Sequence, residues 1–230
     1  YMILILCLNS VLFFAYNAPT TLQATSELSQ TNALNPIFSH QAGFYDEGFY
    51  LEIIAMPNTE VYYTLDASTP TRNALKYSEP ILIEEQWIEA TGDEVIIQNP
   101  GDQSPIPTPS YPISMIRTSS SKWESPREDI FSGTIVKAIA YQVDGHLESD
   151  VITNSYFVHP EMHLKYAFPV MSISTDIKNL YDYETGINVP GINYDPTLGE
   201  ERNTNRTGNY FMRSEDWERP VYIEYFSQTG

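Results

Sequence analysis

One cysteine, Cys7, occurs in 230 residues, so no disulfide can form within the chain and its stability must come from core packing. Basic residues are scarce as well: 12 Lys and Arg stand against 30 Asp and Glu, a net charge of −18. That balance excludes the basic footprint with which proteins neutralise nucleic-acid phosphates, and it gives no attraction to anionic membrane surfaces. The histidines His40, His146, His159 and His163 are far apart and form no HxH or HExxH spacing, which argues against a zinc site. A Gly-rich phosphate loop and a GxSxG elbow are both missing. Acid pairs such as Glu84/Glu85, Glu200/Glu201 and Glu215/Asp216 are expected by chance among so many acids, and they imply no glycosidase pair. Long apolar runs are lacking too. The stretch MILILCLNSVLFFAY is short for a membrane span and suits the apolar centre of a secretory signal, so export and no membrane span in the mature protein are expected.

What the chain does have is β character. Its hydrophobic content of 42% is ample for a packed core, and its 17 tyrosines favour strands over helices. Residues 1–20 read as the signal-like segment and 21–34 as a polar linker. Residues 35–160 read as a β-sandwich, and 161–230 as the opening of a second, α+β unit. Strands are expected at Phe49–Ala55, Val61–Leu65, Ile81–Ile83, Glu94–Gln98, Gly133–Gln142 and Asn154–Val158. The run GTIVKAIAYQVDG ends in Asp144-Gly145, a hairpin signal. Between Pro100 and Arg127 lies a Pro- and Ser-rich excursion, long enough to suggest an insertion with a surface or binding role. In the second unit Val170–Ile173 reads as a strand, Thr175 or Asp176 as a helix cap, and Gly186 and Gly191 as turn glycines. The run VYIEYF then places Val221, Ile223 and Tyr225 on one face.

Few side chains stand out as candidates for a site. Asp66, Ser68 and Thr69 lie in one turn; they can contact a cation or a sugar at a loop tip, but a side-chain-capped turn is the simpler reading. Trp123, with Trp87 and Tyr111, is a candidate sugar-stacking residue, and its place in a polar excursion sets it apart from ordinary core aromatics. Trp217, Glu218 and Arg219 form a DWERP segment in which Arg219 can stack or ion-pair to anchor the following strand. Asn205-Arg206-Thr207 is a formal glycosylation sequon.

The segments EVYYTLDASTPT, KYSEPI and GTIVKAIAYQVDGHLESDVITNSYFV resemble the chitobiase/β-hexosaminidase C-terminal domain type over about residues 36–158. That resemblance implies an immunoglobulin- or fibronectin-III-like sandwich of the kind attached to secreted enzymes. Ala67 stands where that family usually has Gly. Further on, SISTD, NLYD, ETGI, a VPG turn, GNY, DWERP and EYF occur in the order seen at the start of the spore-coat CotH-type atypical protein kinase family, which residues 165–230 resemble. This second resemblance implies an exported or surface-associated parent that transfers the γ-phosphoryl group of ATP, with Mg²⁺, to a protein hydroxyl. The family's phosphate-handling Lys and metal-binding acids lie beyond the motifs present here. No catalytic or metal-binding residue is therefore carried over, and ATP and Mg²⁺ would belong to a completed domain. Expected partners are a protein substrate or a cell-wall or polysaccharide surface, with no nucleic acid. The rival expectation is a non-catalytic accessory or structural module at the cell surface.

Overall fold

The longest strand, β10 (Thr134–Gln142), is where the alternating run GTIVKAIAYQ was expected to extend, and the sandwich is arranged around it. The computed structural model describes residues 33–90, 124–162, 168–195 and 207–227. Outside these lie the signal-like segment, nearly all of the linker, the strand expected at Glu94–Gln98, and most of the excursion with Tyr111 and Trp123. So do His163, Glu200, Glu201, and Asn205 and Arg206 of the sequon.

β10 pairs antiparallel with β5 (Thr59–Thr64) on one side and with β11 (Ile152–Val158) on the other. β6 (Leu75–Lys76) adds antiparallel to β5, and β2 (Gly43–Tyr45) adds parallel to β11, giving the sheet order β2-β11-β10-β5-β6. Across from this sheet, β3 (Phe49–Leu51) pairs with β7 (Ile81–Ile83), and β1 (Ile37–Phe38) with β4 (Ile53–Ile54). β8 (Gln86–Ile88) and β9 (Ile130–Ser132) form a further antiparallel pair on either side of the excursion. The protein is mainly β, with several sheets packed as a sandwich.

The core follows from alternation. Val136, Ala138 and Ala140 of β10 point the same way as Val61 of β5 and Tyr156 and Val158 of β11, and meet Leu51, Ile53, Ile81 and Ile83. The strand expected at Phe49–Ala55 is broken at Glu52, because β3 and β4 take different partners. Leu51 and Ile53 still face inward, so the two-residue period survives the change of partner. Around Asp144-Gly145 the chain does turn back into β11, with Gly145 at φ 78° and its N–H donating to the Gln142 carbonyl at 2.9 Å.

The second unit begins with β12 (Val170–Ser174), which pairs antiparallel with β13 (Tyr222–Phe226). Between them lies the short helix α1 (Ile177–Tyr181), capped by Asp176, whose carboxylate accepts from the Lys178 N–H at 2.9 Å. One face of this ribbon rests on β11. Phe226 packs between Phe44 and Phe157, and Glu224 accepts hydrogen bonds from the Ser155 N–H and hydroxyl.

Candidate functional site

The outward face of β10 carries Lys137 and Ile139, both buried, and Lys137 faces the ribbon and its helix across a shared crevice. Burying an ammonium is costly, since the low-dielectric surroundings disfavour its charge. Burial accordingly holds the Lys137 amine below its ordinary pKa, partly offset by the carboxylates of Asp176 and Asp66. The Lys137 backbone is paired within the sheet, whereas its ammonium has no hydrogen-bond or ion-pair partner among the described residues and meets solvent.

Lys137 lines a crevice of about 190 Å³ at the junction of the two units. Thr69, Val151 and Thr153 form the sandwich wall, and Ser174, Asp176, Asn179 and Tyr222 stand opposite. Ser174 is 3% exposed, and its buried hydroxyl has no partner among the described residues. Such an orphan is uncommon, because a buried hydroxyl without a hydrogen bond costs on the order of 1–3 kcal/mol.

The turn singled out in the sequence forms one rim of this site. The Asp66 carboxylate accepts from the Ser68 N–H at 3.1 Å and from the Ser68 hydroxyl, and the Thr64 hydroxyl donates to the Ser68 carbonyl at 2.7 Å. Asp66 and Ser68 thus cap their own turn, whereas Thr69 lines the crevice. Ala67 between them sits at φ 63°, a left-handed conformation that explains why glycine is usual there.

Trp217, Glu218 and Arg219 lie elsewhere. The Arg219 guanidinium donates to the Thr185 carbonyl at 2.9 and 2.6 Å and to the Asp216 and Glu218 carbonyls, and it lies 5.2 Å from the Trp217 ring. These contacts tie the segment before β13 to the turn after α1. A second polar knot holds the rest of the unit. Buried Asn209 donates to the carbonyls of Tyr183 and Glu184 and accepts from the N–H and the side-chain amide of Asn193. Gly191, at φ 59°, packs so closely that a Cβ there would meet Asn209 at 2.1 Å. The ETG, VPG and GNY motifs, dispersed in sequence, therefore converge on one side chain.

Sequence reasoning missed Lys137, Ser174 and Asn209. For Lys137 a signal existed: it shares a strand face with Ile135 and Ile139, so that face was due to be covered. Nothing in the sequence marks Ser174. The aromatic group at the other end of the sandwich was partly foreseen. Trp87 meets Phe131 at 69° and His159 at 62°, an edge-to-face cluster rather than a flat stacking platform.

Among the described residues no group of three or more His, Cys, Asp or Glu is placed to hold a metal ion, and no helix is long and apolar enough to cross a membrane. No curated protein and no solved structure matches the chain. A family model described as fibronectin-III (Fn3) associated matches residues 51–156, from the end of β3 to β11. The sandwich built on those residues is thus similar to a fibronectin-III-associated, β-sandwich-type domain.

Proposed function

We propose that the sandwich is a rigid platform in an exported or surface-associated protein, and that residues 168–227 open a larger α+β domain of CotH type docked on it. One observation carries this reading. The ribbon face turned away from the sandwich is made of Met171, Ile173, Ile223 and Tyr225, between 55% and 66% exposed, with Met171 opposite Tyr225 and Ile173 opposite Ile223. A two-stranded ribbon is marginal by itself, and a naked apolar face on it calls for a further layer. In this reading that layer is the remainder of the same domain, encoded downstream.

The chemistry assigned to the completed domain is transfer of a phosphoryl group from ATP to a protein hydroxyl, by resemblance of the SISTD-to-EYF motifs. The described residues offer no metal-ligand cluster, so no step of that reaction is assigned to them. The sandwich, in its finer assignment a chitobiase/β-hexosaminidase C-terminal-type domain, contributes spacing and orientation.

Expressing the open reading frame past Gly230 tests the proposal. Hydrogen exchange at β12 and β13 should slow relative to the 230-residue chain, and γ-labelled ATP with Mg²⁺ should label a protein substrate. An unchanged ribbon and no transfer of label would end it.

A second reading, a non-catalytic carbohydrate-associated module, is favoured by Trp87, a residue 47% exposed that lines an open depression with Arg127, Glu128 and Asp129. Retention of the 230-residue chain on insoluble polysaccharide, lost in Trp87→Ala, would support it.

A further inference from the structure

We propose that the crevice between the sandwich and the ribbon is a binding site for a single neutral, polyhydroxylated ring, a sugar unit held between the two parts of the chain. This assignment does not depend on the phosphoryl-transfer reading. It starts from the buried Ser174 hydroxyl, which has no partner among the described residues, and from the Lys137 ammonium, which meets solvent and no described acceptor. Both belong to residues lining the same crevice.

The electrostatics select the ligand class. Within the lining the Lys137 charge is matched by Asp176, and Asp66 acts on it from outside the lining, so no net positive charge draws a carboxylate or phosphate ligand. A metal cation would meet the Lys137 charge. A neutral hydroxyl satisfies both sides, because each one donates and accepts. Lys137 needs an acceptor. The Asp176 oxygen that does not cap α1 needs a donor. The hydroxyls of Thr69, Thr153 and Ser174 serve in either role. Val151, Val221 and the Tyr222 ring complete the lining with apolar surface, which suits the C–H face of a sugar.

Size narrows the class further. At about 190 Å³ the crevice falls short of the roughly 300 Å³ where clefts for drug-sized ligands begin. It would otherwise hold about six waters at roughly 30 Å³ each. One ring fits; a chain of rings would have to extend outward past Thr69 or Tyr222. Because the walls belong to both units, an occupant would also strengthen the docking of the ribbon on the sandwich.

The test is a titration of the isotopically labelled 230-residue chain, followed by amide NMR shifts. Glucose, galactose, mannose and N-acetylglucosamine are the probes, with sodium acetate and sodium phosphate as anionic comparisons. Saturable shifts at Thr69, Lys137, Thr153, Ser174 and Asn179 with at least one sugar, and none there with the anions, are expected. Lys137→Met and Ser174→Ala should each weaken that sugar by about tenfold or more, the worth of hydrogen bonds to a charged or buried group. The spectra of the two variants away from the crevice report whether they remain folded, and Thr153→Val provides a third, gentler probe. Shifts from acetate or phosphate instead would replace the proposal with an anion site. No saturable shift from any probe would mean that the crevice holds water only. Either result would leave the platform reading of the chain untouched, since that reading is tested without sugars.

Discussion

In the sandwich, Leu51, Ile53, Val61, Ile81, Ile83, Val136 and Tyr156 form one continuous apolar cluster, and its polar groups are largely paired along the sheets. In the unit after it, among the described residues, the buried apolar cluster is just Tyr181 and Val189, with Ile177 and Leu180 beside them. That second unit is held instead by polar knots: Asn209 across three turns, Arg219 on the Thr185 carbonyl, and Asp182 accepting from Glu184 and Thr185. The first unit is stabilised mainly by removing surface from water, which tolerates exchange of one apolar group for another of similar volume. The second depends on hydrogen-bond geometry, where losing one partner strands several others. Much of its other apolar surface faces outward, on the ribbon and at Phe168, Ile192 and Met212, while Phe226 packs against Phe44 and Phe157.

The largest effect should come from the sandwich. Leu51→Ala removes a fully buried side chain and should cost about 2–5 kcal/mol, read as a lower urea midpoint for the whole chain. Loss of only the ribbon signals would contradict the view that the ribbon depends on the sandwich and not the reverse. Asn209→Ala should come next, at about 2–4 kcal/mol, because it leaves the Asn193 N–H and side-chain amide without their partner and removes one of the two donors to the Tyr183 carbonyl. Its signature is local: faster hydrogen exchange over residues 177–195, with β5, β10 and β11 unchanged.

The third effect depends on pH and concerns the seam between the units. Burial raises the Glu224 pKa above its ordinary value of 4.5, opposed by the hydrogen bonds from Ser155. The docked state therefore holds a proton that the undocked state releases first. Docking should be strongest below the ordinary value and weaken as pH rises through the raised one, then level off. Ribbon exchange rates measured across that window should show this slope in the native chain and lose it in Glu224→Gln. A slope of opposite sign would mean that the Ser155 hydrogen bonds outweigh burial. The smallest effect belongs to the turn at Ala67. Replacing it by Gly relieves a left-handed alanine and should stabilise the sandwich by up to about 1 kcal/mol, visible as a small rise in melting temperature.

Much of the sandwich was legible because alternation is a local property. The runs that became β5, β7, β10 and β11 carry their inward residues at every second position, so their faces could be read without knowing their partners. The break at Glu52 was not legible, since it arises from β3 and β4 choosing different neighbours. The candidate site was legible only at its rim. Asp66, Ser68 and Thr69 announced a turn by their chemistry, whereas the use of Thr69 as a crevice wall depends on where the ribbon docks.

The sequence by itself determined the β class, the capped turn at Asp66, a helix cap at Thr175 or Asp176 and the apolar stripe of β13, because each depends on neighbours within a few residues. Tertiary structure alone decided that Lys137 is buried, that Ser174 lacks a partner, that three distant motifs meet at Asn209 and that Glu224 reaches Ser155. Those facts depend on groups far apart along the chain: Ser155 and Glu224 lie 69 residues apart, and no local pattern records a contact of that span.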